Sequence, residues 1–100
     1  MRLKTHVTTS ALLRRAMAEG LFATVVHKGD PDGGLIWVKV RQGAEAALWA
    51  ETYEGGFTAR TEGFVDEADA DDLIRQEREF DRDLCLIEIE GAAGATLVCS

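Results

Sequence analysis

Arg14, Arg15, His27, Asp81 and Asp83 are the side chains through which this sequence could bind or turn over a ligand. Guanidinium groups grip carboxylates and phosphates with paired N–H donors. An imidazole titrates close to neutrality and can relay a proton. Brought together, the five would line an anion pocket in a ligand-binding protein or an enzyme. Each also has a plainer role. Arg14 and Arg15 are adjacent, so on a helix they point about 100° apart and at most one lies beside an apolar stripe. An ion pair with Asp81 or Asp83 across the fold is the simpler use of that one. Neither His6 nor His27 has a carboxylate beside it in a recognisable catalytic motif.

Other chemistries fare worse. Cys85 and Cys99 sit among apolar neighbours, where thiols are usually inert packing residues. Two cysteines cannot complete a four-thiolate zinc site. Asp66, Asp69, Asp71 and Asp72 are dense, but counting from Asp69 puts Phe80 where a calcium loop requires its distal glutamate. The segment Gly29–Gly34 is glycine-rich yet lacks the lysine–serine ending of a phosphate loop. Glu88 and Glu90 share one side of a strand. A nuclease site of the two-carboxylate-plus-lysine type wants a lysine beside them, and Ile89 and Gly91 stand there instead. No metal and no cofactor is expected.

The elements that must carry these residues follow from local pattern. Thr8, Thr9 and Ser10 are N-cap types, and Ala11–Glu19 is rich in helix formers. Leu13, Ala16 and Met17 share a face of that helix, and Gly20 marks its stop. Residues 2–7 read as an edge strand. Phe22–Lys28 and Leu35–Arg41 read as strands, and Gly29–Gly34 between them is the strongest turn signal in the chain, so a hairpin is expected. Ala46–Tyr53 extends the meander, with a short strand around Phe57–Thr61. A second helix runs from Asp66 or Asp69 to Phe80, with acids at its positive end. Its apolar stripe is thin: Ala70, Leu73, Ile74 and Phe80. Leu84–Glu90 and Ala95–Cys99 read as a last hairpin, with Ile89 opposite Leu97 and Ile87 opposite Cys99. That register leaves Cys85 and Cys99 diagonal on one face, close but not directly paired.

The expected fold class is α+β: one domain over residues 1–100, a mostly antiparallel sheet of about five strands, and two helices packed on it. An α/β sandwich is the variant. A sheet wetted on one face alternates cleanly between apolar and polar. Leu84-Cys85-Leu86-Ile87 is apolar on both sides, and Ile36, Val38 and Val40 back onto Leu35 and Trp37. Both faces therefore need cover. Either one helix packs on each face, or two pack on one face and a partner molecule meets the other. A homodimer or a protein partner belongs to this expectation.

The ordered set of motifs resembles a known family. Leu13-Arg14-Arg15 precedes Gly20. Lys28-Gly29-Asp30 and Gly34 precede an apolar strand, and Asp81-Arg82-Asp83-Leu84 runs into Ile87-Glu88-Ile89-Glu90. Together they resemble the alphaproteobacterial family catalogued as domain of unknown function 1491, over nearly the whole chain. That family usually carries tryptophan near the position of Cys85, proline where this chain has Arg82, and often tryptophan where it has His6-Val7. The resemblance implies a compact α/β domain of this length and lends no activity.

Charge narrows the function classes. The net charge is −7. Residues 1–42 hold seven bases and three acids, and residues 43–100 hold four bases and fifteen acids. The simplest consequence is that the two halves fold against each other and neutralise in part. A basic face for an anionic partner is the other reading. The negative total argues against nucleic-acid binding, which would have to be weak and run through the basic N-terminal third. No stretch reaches the roughly 20 apolar residues of a membrane span, and no secretion signal is visible. A cytoplasmic protein with reduced thiols is expected. A protein-interaction or adaptor module without catalysis ranks ahead of an anion pocket lined by arginine, histidine and aspartate.

Overall fold

A computed structural model describes residues 2–99. In chain order the elements are α1 (Thr5–Ala18), β1 (Phe22–His27), β2 (Ile36–Gln42), β3 (Glu45–Glu51), β4 (Phe57–Ala59), β5 (Val65–Asp66), α2 (Glu67–Phe80), β6 (Cys85–Glu90) and α3 (Gly94–Cys99). The strands form one mixed sheet in the order β1-β6-β2-β3-β4, with β5 also paired to β3. The fold class is α+β.

The strand that is apolar on both sides takes an interior position, between β1 and β2. β6 runs antiparallel to β1 and parallel to β2, from Ile36 opposite Cys85 to Arg41 opposite Glu90. This corrects the first expected hairpin. The strands Phe22–Lys28 and Leu35–Arg41 exist, but β6 lies between them. Gly29–Gly34 is therefore a bridge over the start of β6, not a hairpin turn. The meander does form between β2 and β3, with Val38 opposite Trp49.

The second expected hairpin is also corrected. Residues 94–99 are helix, so Leu97 does not face Ile89, nor Cys99 Ile87. Both flanks of β6 are already occupied, which leaves no edge for a returning strand. Leu97 and Val98 are adjacent and both buried, which a half-buried strand cannot achieve and a helix against a curved surface can. Among the described residues the two cysteines are free thiols: Cys85 is buried and Cys99 exposed.

The N-terminus differs too. Thr5, His6 and Val7 open α1 instead of forming a strand, and the expected caps at Thr8–Ser10 lie inside the helix. The buried residues are Thr5, Leu12 and Ala16, the last two an i, i+4 pair. Met17 is 73% exposed, so the helix is rotated from the expected stripe. At its end the Leu21 N–H donates to Ala16 O at 2.9 Å across Gly20.

Both faces of the sheet are covered, as the two-sided strands require. On one face α1 and α3 bring Leu12 and Val98 onto Ile36, Val38, Val40, Cys85, Ile87 and Ile89. On the other, α2 sets Ala70 and Ile74 on Trp37, Leu48 and Leu86. The thin stripe of α2 proves thinner still, because Leu73 is half-exposed and Phe80 is 88% exposed. With two anchoring residues, α2 packs over the β3 and β5 side of the sheet. The sheet beyond it, at β6 and β1, forms the floor of an open groove.

Candidate functional site

The parallel pairing of β2 with β6 sets Lys39 beside Glu88 and Arg41 beside Glu90 on the α2 face. The sheet thus supplies, from the neighbouring strand, the lysine that Glu88 and Glu90 lack in sequence. The Lys39 side chain is nearly buried, and its Nζ lies 2.7 Å from Glu67 Oε2, 2.8 Å from Asp71 Oδ1 and 3.4 Å from Glu88 Oε1. Arg41 Nε sits 3.5 Å from the other Glu88 oxygen, and its Nη2 pairs with Glu90. The ammonium occupies the point on which the three carboxylates converge. Among the described residues no group of histidines, cysteines and acids is arranged to hold a metal ion.

Burial opposes the Lys39 charge, but the hydrogen bonds it donates to Asp71 and Glu67 and the nearby charges of Asp71 and Glu88 outweigh it, so its pKa is raised above the ordinary 10.5. A lysine held charged in this way is a poor nucleophile and a good strut. The bond from Lys39 holds the Glu67 carboxyl below its ordinary 4.5, against a smaller opposing effect of burial. The signs follow from linkage. The Glu67 contribution is present above its unfolded value and fades as pH falls through the lowered folded value. The Lys39 contribution persists until pH rises through its raised one. Lys39→Met should therefore lower stability by about 2 kcal/mol. That is less than the loss on breaking a fully buried pair, because the acids are partly wet. It should also flatten the decline of the urea midpoint below pH 4.5 that Glu67 gives the wild type.

Beside this cluster, the groove between α2 and β1–β6 encloses about 740 Å³. Val26, Ile74 and Leu86 provide its apolar lining, and Arg75, Arg78 and Arg82 its cationic one. His27 lies within it: Arg78 Nη2 donates to His27 Nδ1 at 3.3 Å, and His27 Nε2 donates to Arg82 O at 3.3 Å. A guanidinium cannot accept and a carbonyl cannot donate, so the imidazole carries its proton on Nε2.

The other sequence-derived candidates lie elsewhere. Asp81 and Asp83 line a smaller hollow of about 390 Å³ with Asp30, Tyr53 and Phe80. The Asp83 N–H donates to Asp81 Oδ1 at 3.0 Å, a local turn bond. Arg15 lines a third hollow, against Phe57, Leu97 and Val98. Arg14 is exposed on α1. Of the five, His27 alone lines the arginine-rich groove. Sequence reasoning did not single out Arg75, Arg78 and Arg82 as site residues. Arg75 and Arg78, at i and i+3 on α2, share a face that local spacing could have shown, whereas Arg82 lies past the end of the helix and joins them only in the tertiary fold.

Arg2, Lys39 and Arg41, among the seven bases of residues 1–42, pair with acids. Arg2 meets Glu51, while Lys39 and Arg41 meet Glu67, Asp71, Glu88 and Glu90. Every acid in these pairs comes from the acidic half, so the two halves do neutralise each other. The Cys85 thiol is pushed up by burial, with a weaker contrary effect from Thr9 and a small push from Glu51. It is a poor nucleophile at neutral pH.

Residues 3–99 match the family described as protein of unknown function (DUF1491). The chain belongs to that family. A solution structure of an A. tumefaciens protein is 34% identical, covers 98% of this chain and 93% of its own, and superposes with a TM-score of 0.85. A crystal structure of a DUF1491 protein from Caulobacter crescentus is 34% identical over 94% of this chain and 90% of its own, with a TM-score of 0.81. An NMR structure of a DUF1491 protein from the same organism is 30% identical over 98% and 94%, with a TM-score of 0.79. No curated protein matches. The alphaproteobacterial family indicated by the ordered motifs is thus the right one, and the DUF1491 fold is the mixed sheet seen here. No helix among the described residues is long and apolar enough to cross a membrane.

Proposed function

We propose that this DUF1491 protein is a non-catalytic interaction module of the adaptor type that pairs through the open edge of β1, and that its first partner is a second copy of itself. The carrying observation is that edge. Among the described residues β1 has one hydrogen-bonded neighbour, β6, and none on its outer side. An unpaired strand edge presents a row of N–H and C=O groups whose natural complement is another strand. Natural edges are commonly guarded by lysine, proline or charge. β1 has no such residue from Phe22 to His27, and Phe22 is 66% and Val26 54% exposed. An irregularity between Val25 and His27 confines the flat part to Phe22–Val25. An antiparallel copy centred on Thr24 sets Thr24 against Thr24 and Ala23 against Val25, pairs without charge conflict.

The absence of catalysis is supported by the state of the reactive groups. Lys39 is tied to carboxylates and Cys85 is buried with its pKa raised. A cytoplasmic setting is supported by the two free thiols. The test is sedimentation velocity across protein concentration. The wild type should reach twice the 10.9 kDa chain mass at tens to hundreds of micromolar. Thr24→Lys, which sets two ammonium groups face to face at the axis, should hold the protein at the chain mass with an unchanged circular dichroism spectrum. A wild type that stays monomeric throughout, or a Thr24→Lys variant that still dimerises, overturns the proposal.

A further inference from the structure

The groove between α2 and the β1–β6 edge carries a binding site that the pairing of strands does not require. We infer that it binds a small organic phosphate monoester, with the phosphate on Arg78 and Arg82 and the apolar body on Val26, Ile74 and Leu86.

Volume and chemistry agree. A hollow of about 740 Å³ lies within the ~300–1,000 Å³ of small-molecule pockets. Its lining joins an apolar wall to a small set of charged groups, the composition such pockets share. It holds four cationic side chains against three carboxylates, in a chain whose total charge is −7. Two of those carboxylates, Asp71 and Glu88, are engaged by Lys39, which is itself thereby withdrawn from the four cations. Glu79 is the third.

The arginines are not equivalent. Arg75 is bonded to Asp72. Arg78 is oriented by His27, which in turn is held by the carbonyl of Arg82. The bond to His27 uses one of five guanidinium donors, so Arg78 keeps its remaining N–H groups for a ligand while its direction is set. His27 is thus a positioning residue. Arg82 lies one residue beyond the start of the α2–β6 connection and lines the same groove. Two guanidiniums over an apolar wall suit a dianion better than a carboxylate, because a phosphate monoester offers three acceptor oxygens and a charge of about −1.5 to −2 at pH 7.

Amide-detected NMR titration tests this. Phenyl phosphate should shift the signals of Val26, His27, Arg78 and Leu86, and bind at least about tenfold more tightly than inorganic phosphate. Benzoate should bind several-fold more weakly, and benzyl alcohol should leave the spectrum unchanged. Arg78→Gln and Arg82→Gln, both at exposed positions, should keep the fold and weaken phenyl phosphate binding about tenfold each. Arg14→Gln, on α1, should leave it unaltered. His27→Gln should weaken binding by less than Arg78→Gln. The proposal fails if phenyl phosphate shifts no groove signal, or if inorganic phosphate or benzoate binds as tightly. It also fails if Arg14→Gln costs as much as Arg78→Gln. Wild type and variants are compared at one fixed protein concentration, because Val26 and His27 belong both to the groove and to β1.

Discussion

Gly34→Ala should destabilise the protein by roughly 3–5 kcal/mol, enough to lower Tm by about 15 °C or more. A Cβ on Gly34 would stand 2.0 Å from Asp83 O and 3.0 Å from Asp30 O. Both oxygens are backbone, so neither can swing aside as a flexible side chain would. The space is tight because the bridge from β1 to β2 must cross over the start of β6. It is held there by the Asp30 N–H donating to Asp83 O at 3.0 Å and the Cys85 N–H donating to Leu35 O at 2.8 Å. Displacing Gly34 also disturbs its carbonyl, which accepts bonds from Thr5 Oγ1 and, at 2.6 Å, from Arg2 Nη2. One methyl group would therefore strain the crossover and loosen the start of α1 together. Gly33→Ala is the matched control. Its Cβ would meet only Asp30 Oδ2, at 3.4 Å, and the cost should stay under about 1 kcal/mol. Urea unfolding followed by far-ultraviolet circular dichroism measures both. A Gly34→Ala protein within 1 kcal/mol of wild type would show that the crossover can relax.

Glu51→Ala should cost about 3–4 kcal/mol. The Glu51 side chain is 3% exposed, and its Oε1 lies 2.7 Å from Arg2 Nη2. The same oxygen accepts the Ile36 N–H at 3.2 Å. Removing the carboxylate leaves a poorly hydrated guanidinium and an amide without its acceptor, which are the expensive outcomes of burying polar groups. Much of that penalty belongs to the orphaned partner. The double variant Arg2→Met/Glu51→Met should therefore be more stable than Glu51→Ala alone. A double-mutant cycle with Arg2→Ala should return a coupling of at least about 1 kcal/mol. Additive single effects would mean that Arg2 is fastened by Gly33, Gly34 and Thr5 alone.

These two sites and the groove share an origin that local sequence does not display. Arg2 lies 49 residues from Glu51 and 32 from Gly34. Gly34 looks like one of three glycines in a turn, and nothing nearby says that it must pass over residue 83. The Lys39 cluster shows the same limit. Glu88 and Glu90 were visible as a pair on one strand side, but their lysine arrives through a parallel pairing 49 residues away. The groove exists because α2 has two buried residues, where its pattern offered four.

Sequence by itself determined where the chain is helical or extended over most of its length. Residue propensity and apolar period act within a few residues, as at Phe22–His27, Ile36–Gln42, Glu67–Phe80 and Cys85–Glu90. It also determined that the sheet must be covered on both faces and that the basic and acidic halves attract. Tertiary structure alone decided that β6 enters between β1 and β2, that residues 94–99 coil into a helix, and that α1 begins at Thr5. The physical reason is competition for partners. A two-sided apolar strand gains most at the centre of a sheet, and once both of its edges are taken, the segments on either side must find other company.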